Sequence, residues 1–173
     1  LAAAVFYTDF SDYQQHNYIP AQPANQIYNI DMRLWGAEFQ LSRRLSEKLS
    51  GYISYTYLDW DADSHPMDTE DTHYLFQTLP QHQGVISLNY RLWEDGLVSL
   101  NGKYFGSRLS KREDRMSSVF ILDVGAEHTF WLPHDTSFTV RGWVNNVTNQ
   151  DYQLRYGYDM PGTTAGISGT INF

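Results

Sequence analysis

The stretch Thr164-Ala-Gly-Ile-Ser-Gly-Thr-Ile-Asn-Phe173 closes the chain and carries its architecture in miniature. Taken by twos, it separates into an apolar or small set (Ala165, Ile167, Gly169, Ile171, Phe173) and a polar or small set (Thr164, Gly166, Ser168, Thr170, Asn172). Successive side chains of a strand point to opposite faces, so this segment reads as a strand with one apolar and one wet face. A soluble sheet resting on a core would carry the same alternation. What separates the two readings is how often the pattern recurs, and over what length.

It recurs along the whole chain. Alternation predicts eight strands, at 2–13, 27–45, 49–60, 84–92, 97–107, 118–132, 137–146 and 164–173. Several exceed the usual soluble strand of about 5 or 6 residues and reach the roughly 9 to 11 that a tilted membrane-spanning strand needs. The connections alternate in length. Those at 46–48, 93–96 and 133–136 are tight, whereas those at 14–26, 61–83, 108–117 and 147–162 are long and polar. Tight turns at one end and long loops at the other are the sidedness of an outer-membrane barrel. Charged residues such as Lys103, Asp123, Glu127 and Arg141 fall mid-strand on the polar face, where a wet lumen would accept them. Rings gather near predicted strand ends (Tyr52, Trp60, Tyr90, Trp93, Tyr104, Trp131), as an interfacial girdle would.

Composition bounds the function classes. The chain has 173 residues with 13 Tyr, 9 Phe, 5 Trp and a net charge of −8. That charge argues against nucleic acid as a partner, because phosphate binding needs clustered Lys and Arg. The one basic cluster, Arg108-Leu-Ser-Lys-Arg-Glu-Asp-Arg115, is interrupted by two acids. Absence of Cys removes disulfides, thiolate zinc sites and a cysteine nucleophile. No stretch approaches the roughly 18 consecutive apolar residues of a membrane helix, which leaves a strand-built membrane protein open. The chain starts at Leu1 with neither an initiator Met nor a signal peptide, which predicts a piece of a longer protein.

Three stretches resemble the C-terminal half of TonB-dependent outer-membrane receptors. Arg33-Leu-Trp-Gly-Ala-Glu-Phe-Gln-Leu41, a tight turn between Leu45 and Leu49, and Tyr52-Ile-Ser-Tyr-Thr-Tyr57 look like that family's Gly-x-Glu strand, short turn and Tyr-rich returning strand. Leu79-Pro-Gln-His-Gln-Gly84 is similar to its Leu-Pro strand start, with His82 and Gln83 where a second Pro is common. Trp143-Val-Asn-Asn-Val-Thr-Asn-Gln-Asp-Tyr152, then Tyr158-Asp-Met-Pro-Gly162 and the terminal Phe173, match its Asn-x-x-Asn/Asp, Pro-Gly and terminal aromatic pattern.

The resemblance implies an all-β, antiparallel, up-and-down transmembrane barrel segment: about eight strands of a 22-stranded wall. Residues 1–173 would form the C-terminal part of the barrel domain, with the plug and the TonB box outside this sequence. It implies a receptor of the Gram-negative outer membrane that imports a scarce chelate, foremost a ferric siderophore, energised through TonB. Cobalamin, haem, other metal complexes and glycans stay open as cargo. Implied partners are outer-membrane lipid, TonB, the chelate, and the assembly machinery that would read Phe173. No cofactor and no enzymatic activity are expected. Loop residues Trp60, Tyr74, Arg108, Arg155, Tyr156 and Tyr158 are candidate ligand contacts. Arg91, Lys103, Glu127 and Arg141 would line the lumen and face the plug.

Other constellations are weaker. Asp59, Asp61, Asp63 and Glu70 fall at positions 1, 3, 5 and 12 of a calcium-loop spacing, but Ser64 stands where that loop needs Gly, and strands flank it. The run reads as a solvated acidic surface loop, with calcium held loosely by the outer loops as the weaker alternative. His65, His73 and His82 lack a tight i, i+4 partner for zinc. His128 lies outward between Ala126 and Phe130, without an identifiable nucleophile. Asn146-Val-Thr148 matches a glycosylation sequon that reads as a false positive. Two alternatives remain: a complete eight-stranded barrel with a structural or adhesion role, and a soluble all-β binding module.

Overall fold

The computed structural model describes residues 1–17, 26–62, 79–109, 115–155 and 157–173. In chain order its strands are β1 (Ala2–Asn17), β2 (Gln26–Arg44), β3 (Leu49–Ala62), β4 (His82–Trp93), β5 (Gly96–Phe105), β6 (Arg108–Leu109), β7 (Arg115–Met116), β8 (Val119–Trp131), β9 (Ser137–Asn145), β10 (Gln153–Arg155), β11 (Tyr158–Asp159) and β12 (Thr164–Asn172). Eight of them form one antiparallel sheet in the order β1-β2-β3-β4-β5-β8-β9-β12. Every neighbour in that order is also a neighbour along the chain, once the short ribbons β6-β7 and β10-β11 are set aside as loop structure. The eight strands expected from alternation are these eight. The two ribbons were not legible, because pieces of two or three residues carry no period.

Register turns the alternation of single strands into two continuous faces. Leu41, Ile53, Ile86, Gly102 and Leu122 stand in one cross-strand row. Leu88, Leu100, Val124, Val144 and Ala165 stand in another on the same side. The opposite side carries rows such as Asn89, Ser99, Gly125, Trp143 and Gly166, and Arg91, Leu97, Glu127, Arg141 and Ser168. A one-residue slip in any ladder would send apolar groups into the wet rows, so the pattern pins the register.

The apolar face is bounded at both ends. Toward the loops, Tyr7 pairs with Trp35 and Ala37 with Tyr57, and the next outward row is charged: Asp9, Arg33 and Asp61. Toward the tight turns, the face ends in Arg43, Tyr90, Trp93, Phe130 and Phe138. Proximity to strand ends assigns Tyr52, Trp60 and Trp131 to the girdle. Register instead puts all three on the polar side, opposite Ser42, Leu34 and Ser137, and Tyr7, Trp35 and Tyr57 form the outer aromatic band. A ring near a strand end does not reveal its face until the ladder is known.

The tight turns obey hairpin sterics. His134 and Asp135 both take left-handed backbone, φ 64° and 56°, which matches the twist of the strands they join. Glu94 and Asp95 do not, and a bulge between Arg91 and Trp93 absorbs the mismatch. The bulge lays the Trp93 indole over Gly96, whose missing Cβ leaves room for it. Trp93 Nε1 then donates to His128 Nδ1 at 2.8 Å, Thr129 N donates to the Asp95 carbonyl at 2.9 Å, and Trp131 Nε1 donates to Asp95 Oδ1 at 2.7 Å. The outward His128 is therefore part of a turn-anchoring aromatic cluster.

β2, with 19 residues, is the longest strand. At about 3.4 Å per residue and a tilt near 45°, it rises well above an apolar band of about 25 Å. The β2-β3 turn fixes its lower end, so the excess stands on the loop side. Among the described residues, buried apolar side chains are few: Ile30, Met32, Val119 and Ile121, all toward that end of the polar face. A single-layer sheet has nothing to close a core against. Val5, Ile167 and Phe173 are largely exposed on the apolar face, and β1 and β12 are the two edges, without pairing to each other. The sheet is open, which departs from the complete eight-stranded barrel that the strand count alone allows.

Gly36 gives a direct test of the register. A Cβ built there would lie 2.4 Å from the Tyr57 carbonyl oxygen and 2.5 Å from the Phe6 ring. Backbone cannot yield as a side chain can, so Gly36→Ala in the full-length protein is expected to cost about 1–3 kcal/mol. The measurement is the urea midpoint of the folded, gel-shifted band; an unchanged midpoint would refute this packing of β1, β2 and β3.

Candidate functional site

All four long connections leave the same end of the sheet, and the candidate site is built from what they bring together. Its base is the Asn146 corner. Asn146 is almost fully buried and left-handed (φ 51°), a conformation that Asn tolerates better than most residues. Its backbone N–H donates to Asp123 Oδ1 at 2.8 Å, and its Nδ2 donates to the Gln150 carbonyl at 2.9 Å. Its Oδ1 accepts the Gln150 N–H at 2.9 Å, and its carbonyl accepts the Thr163 hydroxyl at 2.7 Å. Asn149, also left-handed (φ 47°), accepts the Thr163 N–H at 3.0 Å. The two asparagines thus join the start and end of the 146–163 connection. This is the physical content of the Asn-x-x-Asn and Pro-Gly pattern. The buried, engaged amide also leaves the Asn146 sequon unusable in the folded chain.

Asp123 ties this corner to the polar face. Its Oδ2 accepts Lys103 Nζ at 2.9 Å, the only ion pair among the described residues. Lys103 and Arg141 border a groove of about 540 Å³ with Ser87, Asn101, Asp123 and Trp143. Arg91, Glu127 and Arg141 occupy one cross-strand row on that face. The sequence-predicted inner set therefore shares a surface.

The loop candidates separate. Arg155 and Tyr158 meet on the β10-β11 ribbon, with the guanidinium carbon 5.5 Å from the ring centroid. Tyr158 is well exposed. Tyr74 and Tyr156 lie outside the described residues. Arg108 is buried and donates to the carbonyls of Gly106 and Gln153, so it fastens the connection after β5 to the ribbon after β9. Burial lowers the pKa of its guanidinium, which stays charged at neutral pH.

Trp60 borders a cleft of about 300 Å³ at the loop end of β3, β4 and β5, with Asp59, Gln81, Arg108 and Arg115. Arg115 and Gln81 were missed as site residues. Arg115 belongs to the basic run that starts at Arg108, but which members of that run face one another is a property of the folded loop. A second cleft, of about 430 Å³, lies between the ribbons and includes Met116, Tyr152, Gln153 and Asp159.

Of the acidic run only Asp59 and Asp61 lie among the described residues, where no group of three His or carboxylate side chains converges. Asp59 accepts hydrogen bonds from Tyr57 Oη and Gln81 Nε2, each at 3.0 Å. Asp61 is exposed. Asp63 and Glu70 lie outside the described residues, as do His65 and His73. His82 packs instead against Tyr55, whose hydroxyl lies 2.6 Å from Nδ1.

A family model described as TonB dependent receptor-like, beta-barrel, matches residues 1–147. Among solved structures, the siderophore receptor PiuA from Acinetobacter baumannii superposes with a TM-score of 0.72 at 16% identity, over 98% of this chain and 25% of its own. The pyoverdine receptor FpvA from Pseudomonas aeruginosa gives 0.71 at 16% identity, over 99% of this chain and 27% of its own. The copper transporter OprC gives 0.70 at 16% identity, over 98% and 28%. At such identities the likeness is one of fold, and the chain spans about a quarter of the length of these structures.

The Asn146 corner predicts a local phenotype. Asn146→Ala removes both partners of Gln150 and is expected to destabilise the loop by about 1–3 kcal/mol while leaving the ladders intact. Limited proteolysis of the full-length protein should cut faster between 150 and 162; unchanged cleavage there would contradict the clamp.

Proposed function

The chain belongs to the TonB-dependent receptor-like β-barrel family, and from that premise we propose that it is the C-terminal wall of an outer-membrane receptor importing a metal chelate of the ferric-siderophore kind. Residues 1–173 belong to the barrel domain, and the plug and TonB box lie elsewhere in the longer protein. The wall sits in the outer membrane of a Gram-negative cell. Its apolar face meets lipid between the Tyr7-Trp35-Tyr57 band and the Trp93-Phe130-Phe138 end. Its polar face, with Arg91, Lys103, Glu127 and Arg141, meets the plug. The two open edges are satisfied by further strands of the same barrel, because lipid offers no partner for unpaired backbone groups.

The observation that carries this reading is the two-faced sheet with every long connection at one end. Such a wall has no bond chemistry to perform. It presents loops for capture, holds the plug and seals the membrane, while TonB supplies the pull that opens a path along the polar face. Trp60 near the end of β3, with Arg155 and Tyr158 on the β10-β11 ribbon, would be the described contacts to cargo. Phe173, on the outward face at the terminal strand, serves as the mark for assembly.

Two experiments test the reading. Deleting the gene should abolish uptake of at least one radiolabelled chelate in iron-limited cells; unchanged uptake across ferric siderophores, haem, cobalamin and copper chelates would overturn the cargo class. Leu100→Arg, in the middle of the apolar belt, should destabilise the full barrel in vesicles by about 2–4 kcal/mol. Leu100→Phe should stay within about 1 kcal/mol. Equal behaviour of the two variants would remove the face from lipid.

A further inference from the structure

The β8-β9 ladder runs up to the pair Val124 and Val144 and stops there, although β8 continues to Val119 beside β5. Beyond that rung the last connection is rooted by two bonds of different kind. Val147 N donates to the Leu122 carbonyl at 2.8 Å, and Asn146 N donates to the side-chain Oδ1 of Asp123 at 2.8 Å. A carboxylate thus stands in for a backbone acceptor at the point where the chain leaves the sheet. A backbone carbonyl is fixed by its own strand, whereas a carboxylate turns about its side-chain torsions and is aimed by whatever pairs with it.

What pairs with Asp123 comes from another strand. Lys103 Nζ lies 2.9 Å from Oδ2, diagonally across the β5-β8 ladder, in which Asn101 stands directly opposite Asp123. The Asp123 side chain is 13% exposed and that of Lys103 48%, so the anion sits inside and the cation faces the groove on the polar face. Arg141 borders the same groove but forms no ion pair among the described residues. Among those residues Lys103 is therefore the cation that balances and orients Asp123. On the far side of the carboxylate, Asn146 clamps Gln150 through its amide and Thr163 through its carbonyl. A chain of bonded groups runs from an ammonium on the polar face to both ends of the 146–163 connection.

We infer that Lys103 and Asp123 form an electrostatic latch, in which the ion pair on the polar face sets how firmly the connection 146–163 is held. The inference holds whatever the wall carries and does not use the receptor reading. With the ammonium in place, Oδ2 is anchored and Oδ1 is aimed at the Asn146 N–H. When the ammonium is drawn off, by salt or by an anion that enters the groove, the carboxylate turns toward water and Asn146 loses its acceptor. A buried N–H left without an acceptor is costly, so the Asn146 corner opens and frees the ribbon that carries Arg155 and Tyr158. Lys103 acts on the connection through Asp123, as a positioning residue.

The test follows chymotryptic cleavage between 150 and 162 in the purified full-length protein, with the urea midpoint of the gel-shifted band as the measure of the barrel as a whole. Lys103→Met keeps the length of the side chain and removes its charge. Cleavage should rise about threefold, the scale of a half-exposed ion pair, at an unchanged midpoint. Lys103→Arg should cleave at close to the wild-type rate. Asp123→Asn keeps an acceptor for Asn146 but removes the attraction to Lys103. It should speed cleavage at least as much, and adding Lys103→Met to it should add nothing. Raising sodium chloride from about 0.05 to about 0.5 M should narrow the gap between wild type and Lys103→Met, because screening weakens the pair that the substitution has already removed. A wild-type cleavage rate in Lys103→Met would overturn the latch. So would additive rates in the double variant, or a gap that salt does not narrow. A urea midpoint that falls in step with cleavage would also overturn it, by making the effect a general loosening of the wall. No readout here involves a chelate, so the latch and the cargo class fail separately.

Discussion

Ladder hydrogen bonding and side-chain alternation are coupled in this sheet, and the coupling governs everything built on it. Each antiparallel ladder fixes which residue stands opposite which, and a strand's period of two then sends everything on one row to one side. With eight strands in register, a modest preference in each segment sums to a continuous apolar surface and a continuous polar one. No helix layer and no second sheet covers either surface among the described residues, so the fold is completed by its surroundings rather than by its own core. Among the described residues, the buried apolar side chains Ile30, Met32, Val119 and Ile121 lie toward the loop end of the polar face.

The same coupling places the functional end. Because the three tight turns return the chain immediately, every long connection emerges on the other side, and the loops become neighbours without contacts between distant strands. Two polar devices then organise them. The Asn146 corner joins the ends of the last connection and reaches Asp123 on the polar face, itself paired with Lys103. Arg108 spans from the connection after β5 to Gln153. Both devote polar groups to structure, which is why residues that look available for ligand in a linear reading are engaged in the folded loop. Among the described residues at that end, Arg115 stands exposed on the cleft and Arg155 lies over the Tyr158 ring on its ribbon.

Much of this was legible beforehand, for reasons that particular elements make plain. The strands expected at 164–173 and 137–146 match β12 and β9 because both alternate without interruption and meet turn residues at their loop-side ends. The β4-β5 bulge was not legible, since nothing in Arg91-Leu-Trp-Glu-Asp-Gly96 says which residue is unpaired. The girdle was read partly wrongly for a related reason. Trp131 and Tyr90 sit equally near strand ends, yet only pairing to Ser137 and Val98 tells which side each takes. The Asn146 motif was recognised as a pattern, while its burial and its bond to Asp123 needed the fold.

The local and periodic features follow from the amino-acid sequence alone: strand number, the two chemical faces, the alternation of short and long connections, and membership of a family marked by ordered motifs. They rest on the period of two and on turn chemistry, both of which act over a few residues. Which of the nearby polar groups meet is a property of the assembled ladders. Lys103 takes Asp123, Arg108 is consumed by loop carbonyls, and Arg115 shares a cleft with Trp60. Those pairings join residues far apart in sequence through the register of several ladders and the docking of two ribbons. A one-residue change in any of them would re-aim the side chains without altering the pattern that the sequence displays.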